Sequence, residues 1–464
     1  MKKIFTLGII AFLASCGAGA EEEYIPAAEP PPAVEIPEAT PNVELPDYWT
    51  PALEGDVTIN VSWWGVESRA DAMEEAFNIF MERYPNVNIV GDWGAFGGHL
   101  DNLTLQLATG VEPDLMQVNY AWVHSLSPDG NNVFLDLNTV DHILDLSEWQ
   151  QGDLDFMNVG GELAGVPHGM NGRVIVYNRL LLEEFGLSEF PQTIEELIAF
   201  GEQVSAGNNT NIALDTNRFA LANLDNLLFD LSMLTWLYEV SQNPLQRGGQ
   251  MLHTEEQVRE IFELVGTLQE TGTVQNTLQE EPGFPNHNDP LWTSGRAGGA
   301  LVWVSDVNNF KNTFLVEGEA HWEDLGVAPL PSLTGNSVTM QRPSLGHAIS
   351  RNTNHPEVVA YLLNFLYTDP AAIRALGATL GVPFSRTAAD ITWNEGIVSE
   401  PQIEGMYILA NSVGVIDEYF EDPRLRGPRQ DILVDFRLGN IDAETAASRF
   451  INEQQFALNS ILTD

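Results

Sequence analysis

A single cysteine, Cys16, occurs in 464 residues, so no disulfide framework can form within one chain. Lysine is almost as scarce, with Lys2, Lys3 and Lys311 the only examples. Twenty Lys and Arg stand against 66 Asp and Glu, for a formal net charge of −46. Nucleic acid is excluded as a partner, because neutralising phosphates requires a basic face. The nine histidines form no close ligand pair of the kind zinc enzymes use, so no metal is expected. No Gly-x-Ser-x-Gly elbow, His-Glu-x-x-His helix or Gly-x-x-x-x-Gly-Lys loop occurs, which leaves the corresponding catalytic chemistries without sequence support. No cofactor is expected either.

Long apolar runs are also rare, and the one that opens the chain is informative. Lys2 and Lys3 precede the run Ile4 to Leu13, and small residues then lead to Cys16. The run is too short for a permanent membrane span and reads as a secretory signal. Leu13-Ala14-Ser15-Cys16 resembles the lipobox of bacterial lipoproteins, and the resemblance implies removal of residues 1–15 and diacylation of Cys16. Residues 16–54 then form an acidic, proline-rich tether carrying Glu21, Glu22, Glu23, Glu29, Glu35, Glu38 and Glu44. Such chain extends by about 3.1 Å per residue and could hold a folded body on the order of 100 Å from the membrane. The acidity fits a saline or alkaline exterior, or solubility alone.

From Val57 the body alternates strand and helix patterns. Val57, Ile59, Val61 and Trp63 share one strand face. Met73, Phe77, Phe80 and Tyr84 follow at helical spacing up to Pro85. A strand at Val87 and Ile89, a helix through Leu100, Leu103 and Leu107 closed by Gly110, and a strand Leu115 to Val118 continue the pattern. Strand, helix, strand, helix, strand implies a parallel sheet. Thr193 with Glu196 and Thr254 with Gln257 are capping boxes ahead of later helices.

Several stretches in order along the chain resemble the carbohydrate-type extracellular solute-binding proteins of bacterial ABC importers. They are Ser62-Trp63-Trp64-Gly65-Val66-Glu67-Ser68-Arg69, Gly110-Val111-Glu112-Pro113-Asp114, Gly165-Val166-Pro167-His168-Gly169, Arg342-Pro343-Ser344 and Gly381-Val382-Pro383. The resemblance implies an α/β, two-lobed clamp, each lobe a doubly wound sheet flanked by helices, with an interlobe hinge. It places residues 55–168 and 300–342 in the first lobe and 172–298 and 345–464 in the second. It further implies a monomer that captures a sugar or oligosaccharide, hands it to transmembrane permease subunits, and meets the membrane through its lipid anchor alone.

A sugar needs flat aromatic surfaces for its C–H faces and planar polar groups for its hydroxyls. Ligands of open α/β sheets sit beyond the carboxyl ends of strands, which selects Trp64, Glu67, Arg69, Trp93, Asn119 and Trp122 near predicted strand ends. Trp63 continues the inward alternation and is expected in the core. Asn171 and Arg173 lie on the predicted crossing between lobes, Trp303 and Asp306 at a later strand end, and Arg342 in the Arg-Pro-Ser motif. Trp236 is a further aromatic candidate. Phe96, Gly98 and His99 occupy a loop where the resemblance leads one to expect more large aromatics. A secreted glycoside hydrolase with two carboxylates is the rival reading. A peptide or polyamine ligand in the same clamp is another, and either would suit the acidic charge. Changing Cys16 to Ser should move the protein from the membrane fraction to the supernatant, as read by fractionation and immunoblotting, and a mutant retained on the membrane would remove the anchor.

Overall fold

The computed structural model describes residues 55–127, 131–208, 217–222, 235–275, 286–316, 319–320, 324–335, 338–339, 341–414, 419–420 and 422–463. The expected signal, Cys16 and the tether lie outside the described residues. Along the chain, strand β1 (Val57–Trp64) leads into helix α1 (Glu67–Arg83), strand β2 (Val87–Gly94), helix α2 (His99–Thr109), strand β3 (Leu115–Val118) and the short helix α3 (Tyr120–Ser125). The predicted alternation is therefore present element for element. Ile59, Val61 and Trp63 are buried against Met73, Phe77 and Phe80 of α1, as a one-sided strand pattern facing a one-sided helix requires. Gly110, at φ +70°, takes the left-handed conformation that ends α2.

Strand β4 (Val166–Pro167) closes this stretch, and the chain passes into the long strand β5 (Met170–Asn178), followed by β6 (Phe219–Leu221), β7 (Ala297–Trp303), β8 (Leu325–Ala328) and β9 (Gln341–Pro343). Strand β10 (Gly346–Ile349) comes next. Two sheets result. The first has the order β2-β1-β3-β10-β4, with β1 parallel to β2 and β3 and β10 antiparallel to β3. The second has the order β8-β5-β7-β6, and β9 also pairs with β5. Each sheet has its own apolar cluster, so the body carries two separate cores. Both capping boxes form, at Thr193 with Glu196 and at Thr254 with Gln257.

The later strands do not pair as the expected lobe boundaries require. Strand β7 is antiparallel to β5, and β8 and β9 flank β5 on its other edge, so these three strands of the 300–342 region join the second sheet. Strand β10 joins the first sheet, and Val358, Leu362, Leu363 and Leu366 of the following helix pack into the first core. Apolar periodicity shows which face of an element is buried but not which sheet buries it. The final helices, with Ile432, Ala446 and Phe450, return to the second core.

The two passages between sheets run side by side. His168 donates its main-chain N–H to Leu345 and Ser344 donates to Gly169, both at 2.7 Å. Gly169 is obligatory here for reasons of space, because a Cβ at this position would fall 1.8 Å from the carbonyl oxygen of Val382. Beside the crossing, His168 and His347 are buried, and His347 Nδ1 shares a hydrogen bond of 2.8 Å with the Tyr367 hydroxyl. Burial first, then the neighbouring His347 and Arg69 charges, bring His168 down to about 3. Burial and Arg69 bring His347 to about 3 as well.

Both folded values lie below the ordinary 6.5, so the unfolded chain takes up protons that the folded chain refuses. This contribution to stability is fully present above about pH 6.5 and is lost as pH falls toward 3, by up to about 1.4 kcal/mol per pH unit for each ring. Chemical denaturation at pH 7.5, 6.5 and 5.5 should show that decline, with a shallower slope in His347→Asn. An equal slope in the mutant would mean that the ring does not titrate on unfolding.

Candidate functional site

The carboxyl end of β1 turns at Gly65 into α1, and the side chain of Arg69 folds back over that glycine. A Cβ at Gly65 would stand 2.6 Å from Arg69 Cδ, so a larger residue here would displace the Arg69 side chain. Arg69 then donates from Nη1 to the Trp64 carbonyl and from Nε to the Thr379 carbonyl, each at 3.0 Å. Burial lowers its pKa to about 10 while the facing Asp306 carboxylate opposes the shift. The guanidinium therefore stays charged at neutral pH and senses a residue that follows β7 of the other sheet.

The end of β3 is shaped by Asn119, whose side-chain oxygen accepts the Ala121 N–H at 3.0 Å and caps α3. That cap turns the chain out of the strand at once and brings Tyr120 and Trp122 to the strand's end. Trp122 lies 5.1 Å from Trp64 and is stacked on Phe96 at 5.3 Å and 25°. Trp64 also meets His99 edge-on at 5.3 Å. In this cluster Trp122 and Trp64 are only 3% and 8% exposed, whereas Phe96 is 40% exposed. Phe96 is thus the outer ring and the two tryptophans lie beneath it.

The second sheet presents a compact polar and aromatic group. Trp303 is the register partner of Arg173, and Arg342 is that of Asn171, so the four side chains leave one face of the sheet. Arg173 Cζ lies 3.2 Å and Arg342 Cζ 4.1 Å from the Trp303 ring centroid. Arg342 also stands over the Tyr120 ring of the first sheet's α3 at 5.7 Å and donates to the Pro343 carbonyl at 2.7 Å. Asn171 donates to the Ser305 hydroxyl at 2.9 Å and accepts the Ser305 N–H at 3.2 Å.

Of the residues selected from the sequence, Asn171, Arg173, Trp303 and Arg342 therefore share one face of the second sheet, with Arg342 reaching Tyr120 beyond the first, while Arg69 and Asp306 interact with each other across the two sheets. Trp64 and Trp122 adjoin them within the first core. The others lie elsewhere. Glu67 is exposed on the first turn of α1. Trp93, 42% exposed, ends the edge strand β2 beside a small pocket of about 120 Å³ that is also lined by Asp92, Gly97, His99 and Asn102. Trp236 is buried in the second core and donates to the Pro331 carbonyl at 3.1 Å. Tyr120 was missed by the sequence reading, although its place just past β3, next to Asn119, carried the same strand-end signal. Among the described residues no group of three or more His, Cys, Asp or Glu could hold a metal ion.

Residues 66–373 match the model of the bacterial extracellular solute-binding protein family. The chain belongs to that family. Among solved structures, this solute-binding protein is similar to a periplasmic oligogalacturonide-binding protein from Yersinia enterocolitica, seen in complex with saturated digalacturonic acid. The TM-score is 0.77 at 25% identity, over 88% of this chain and all of the other. A periplasmic solute-binding protein from Pectobacterium atrosepticum gives 0.76 at 23% identity, over 87% of this chain and 99% of that one. The GacH receptor of Streptomyces glaucescens, described unliganded and with acarbose, shares the fold with a TM-score of 0.72 at 16% identity, over 88% and 99% of the two chains. The family's two-lobed fold and the two cores described above agree.

The burial of Trp122 has a direct consequence for mutagenesis. Trp122→Ala should destabilise the ligand-free protein by about 3–5 kcal/mol. Trp93→Ala, at an exposed strand end, should change stability by less than about 1 kcal/mol. Denaturant midpoints of the two mutants measure the contrast, and equal midpoints would place the Trp122 ring outside the core.

Proposed function

We propose that this solute-binding protein captures a sugar or oligosaccharide between its two sheets and delivers it unchanged to the permease of an ABC importer. The observation that carries this reading is the approach of Tyr120, at a strand end of the first sheet, to Arg342, which shares a face of the second sheet with Asn171, Arg173 and Trp303. Aromatic surface together with fixed planar donors is what a polyhydroxylated ring needs. The saccharide held by the Yersinia relative supports the same ligand class. Trp64, Trp122 and the outer Phe96 would border the site, and Trp93 would extend it.

In this reading the first lobe comprises residues 55–168 and 345–395, and the second 170–343 and 400–463. The adjoining crossings at Gly169 and Ser344 form the hinge. The protein acts as a monomer at the extracytoplasmic face, held there by lipid on Cys16, and catalyses no reaction. Isothermal titration against a saccharide panel, with product analysis and small-angle scattering on the same samples, tests it. Binding without cleavage and with a smaller radius of gyration is the expected result. A steady release of cleaved product, or no heat from any saccharide, would overturn it.

A further inference from the structure

Between β8 and β9 the chain makes an excursion from the second sheet. Strand β8 leaves the edge of β5 after Ala328, opposite Ile175, and β9 rejoins that edge at Gln341, opposite Gly172. Strands β7 and β8 run antiparallel to β5, so their carboxyl ends lie at its amino end, beside the crossing at Gly169. The excursion therefore starts at the end of the sheet where ligands of open α/β sheets sit.

A buried carboxylate shapes that excursion. Glu239, in the short helix Leu237–Ser241, is 5% exposed. Its Oε2 accepts the Ser332 hydroxyl at 2.6 Å, the Leu333 N–H at 2.8 Å, the Thr334 N–H at 3.0 Å and the Thr334 hydroxyl at 3.1 Å. Ser332 Oγ in turn accepts the N–H groups of Thr334 and Gly335 at 3.0 and 2.8 Å. Trp236, one turn before Glu239, donates from Nε1 to the Pro331 carbonyl. Burying a carboxylate carries a large desolvation penalty, which these donors offset, and charge-assisted hydrogen bonds are about twice as strong as neutral ones. A fully satisfied buried network holds one geometry. Further along the same chain, the Thr339 hydroxyl accepts the Arg173 N–H at 3.2 Å and donates to the Arg173 carbonyl at 3.0 Å, and Arg342 follows on β9.

We infer that Glu239 is a positioning residue for ligand capture. It fixes residues 331–335 as a wall of the cleft before a ligand arrives and, through that loop, steadies the chain that brackets Arg173 and carries Arg342. Trp236 is its second tether. A wall ordered in the ligand-free protein spares the entropy that binding would otherwise cost. This rests on the saccharide reading of the cleft and deepens it, and Glu239 acts without touching the sugar.

The test uses the mature full-length protein and the saccharide of the panel that it binds most tightly. Titration calorimetry should show Glu239→Leu binding about tenfold or more weakly, with Glu239→Gln in between, because a carboxamide oxygen still accepts but carries no charge. Hydrogen exchange in the ligand-free protein should be faster at the Leu333 and Thr334 amides of Glu239→Leu. Ser332→Ala attacks the same contact from the loop's side, so the test stands even if Glu239→Leu fails to fold. Ile432→Ala, a second-core substitution on another helix, lowers stability by opening a cavity and should leave the affinity unchanged. Unaltered affinity or amide exchange in both Glu239→Leu and Ser332→Ala, or an equal loss of affinity in Ile432→Ala, would overturn the positioning role and leave saccharide capture intact. Failure of every saccharide to bind the unaltered protein would overturn both.

Discussion

Two main-chain hydrogen bonds between the crossing segments, from His168 to Leu345 and from Ser344 to Gly169, are the constraint on which the rest of the structure depends. They tie the outgoing strand to the returning one where each leaves a sheet. Asn171 and Arg173 follow within four residues of that point on one strand, and Arg342 precedes it by two on the other. The polar group of the second sheet is thus registered against the first by backbone geometry. Gly169 makes this approach possible, since the Val382 carbonyl occupies the space a side chain would need. Phe384 donates to the His168 carbonyl at 2.6 Å and brings a third segment to the same junction.

The aromatic residues divide their work according to depth. Trp63, Trp122 and Trp236 are buried in the two cores, where each removes a large apolar surface from water. Trp303 is only half-buried, and besides packing against the second core its ring holds two guanidiniums. Tyr120, one residue past the cap at Asn119, brings the first sheet to the same cations. A strand end followed at once by a capped helix therefore supplies both a core tryptophan and a residue at the junction of the sheets.

Charge is organised in the same way. The net negative charge sets a repulsive field at long range, which salt screens beyond about 8–10 Å. Arginines buried where the sheets meet are screened far less, so they act on whatever lies beside them rather than on the surroundings. Arg69 illustrates the balance, because burial lowers its pKa while Asp306 across the junction restores part of the loss. The two buried imidazoles nearby stay neutral for the same reason of desolvation.

Sequence by itself determined the elements of the first half, because period-2 and period-3.6 patterns, Pro85, Gly110 and the two capping boxes are local signals whose physics does not depend on the rest of the chain. It also located the crossing at Gly165 to Arg173 and marked Arg69, Arg173, Trp303 and Arg342 as candidates, through strand ends and family-like motifs. Only the tertiary structure decided which sheet received β7 and β10, since a buried face carries no address for its partner. It alone decided that Asn119 caps a helix, that Trp236 belongs to the second core, and that Trp122 lies beneath Phe96. Each of those outcomes depends on what stands opposite a side chain, and residues far apart in sequence supply that neighbour.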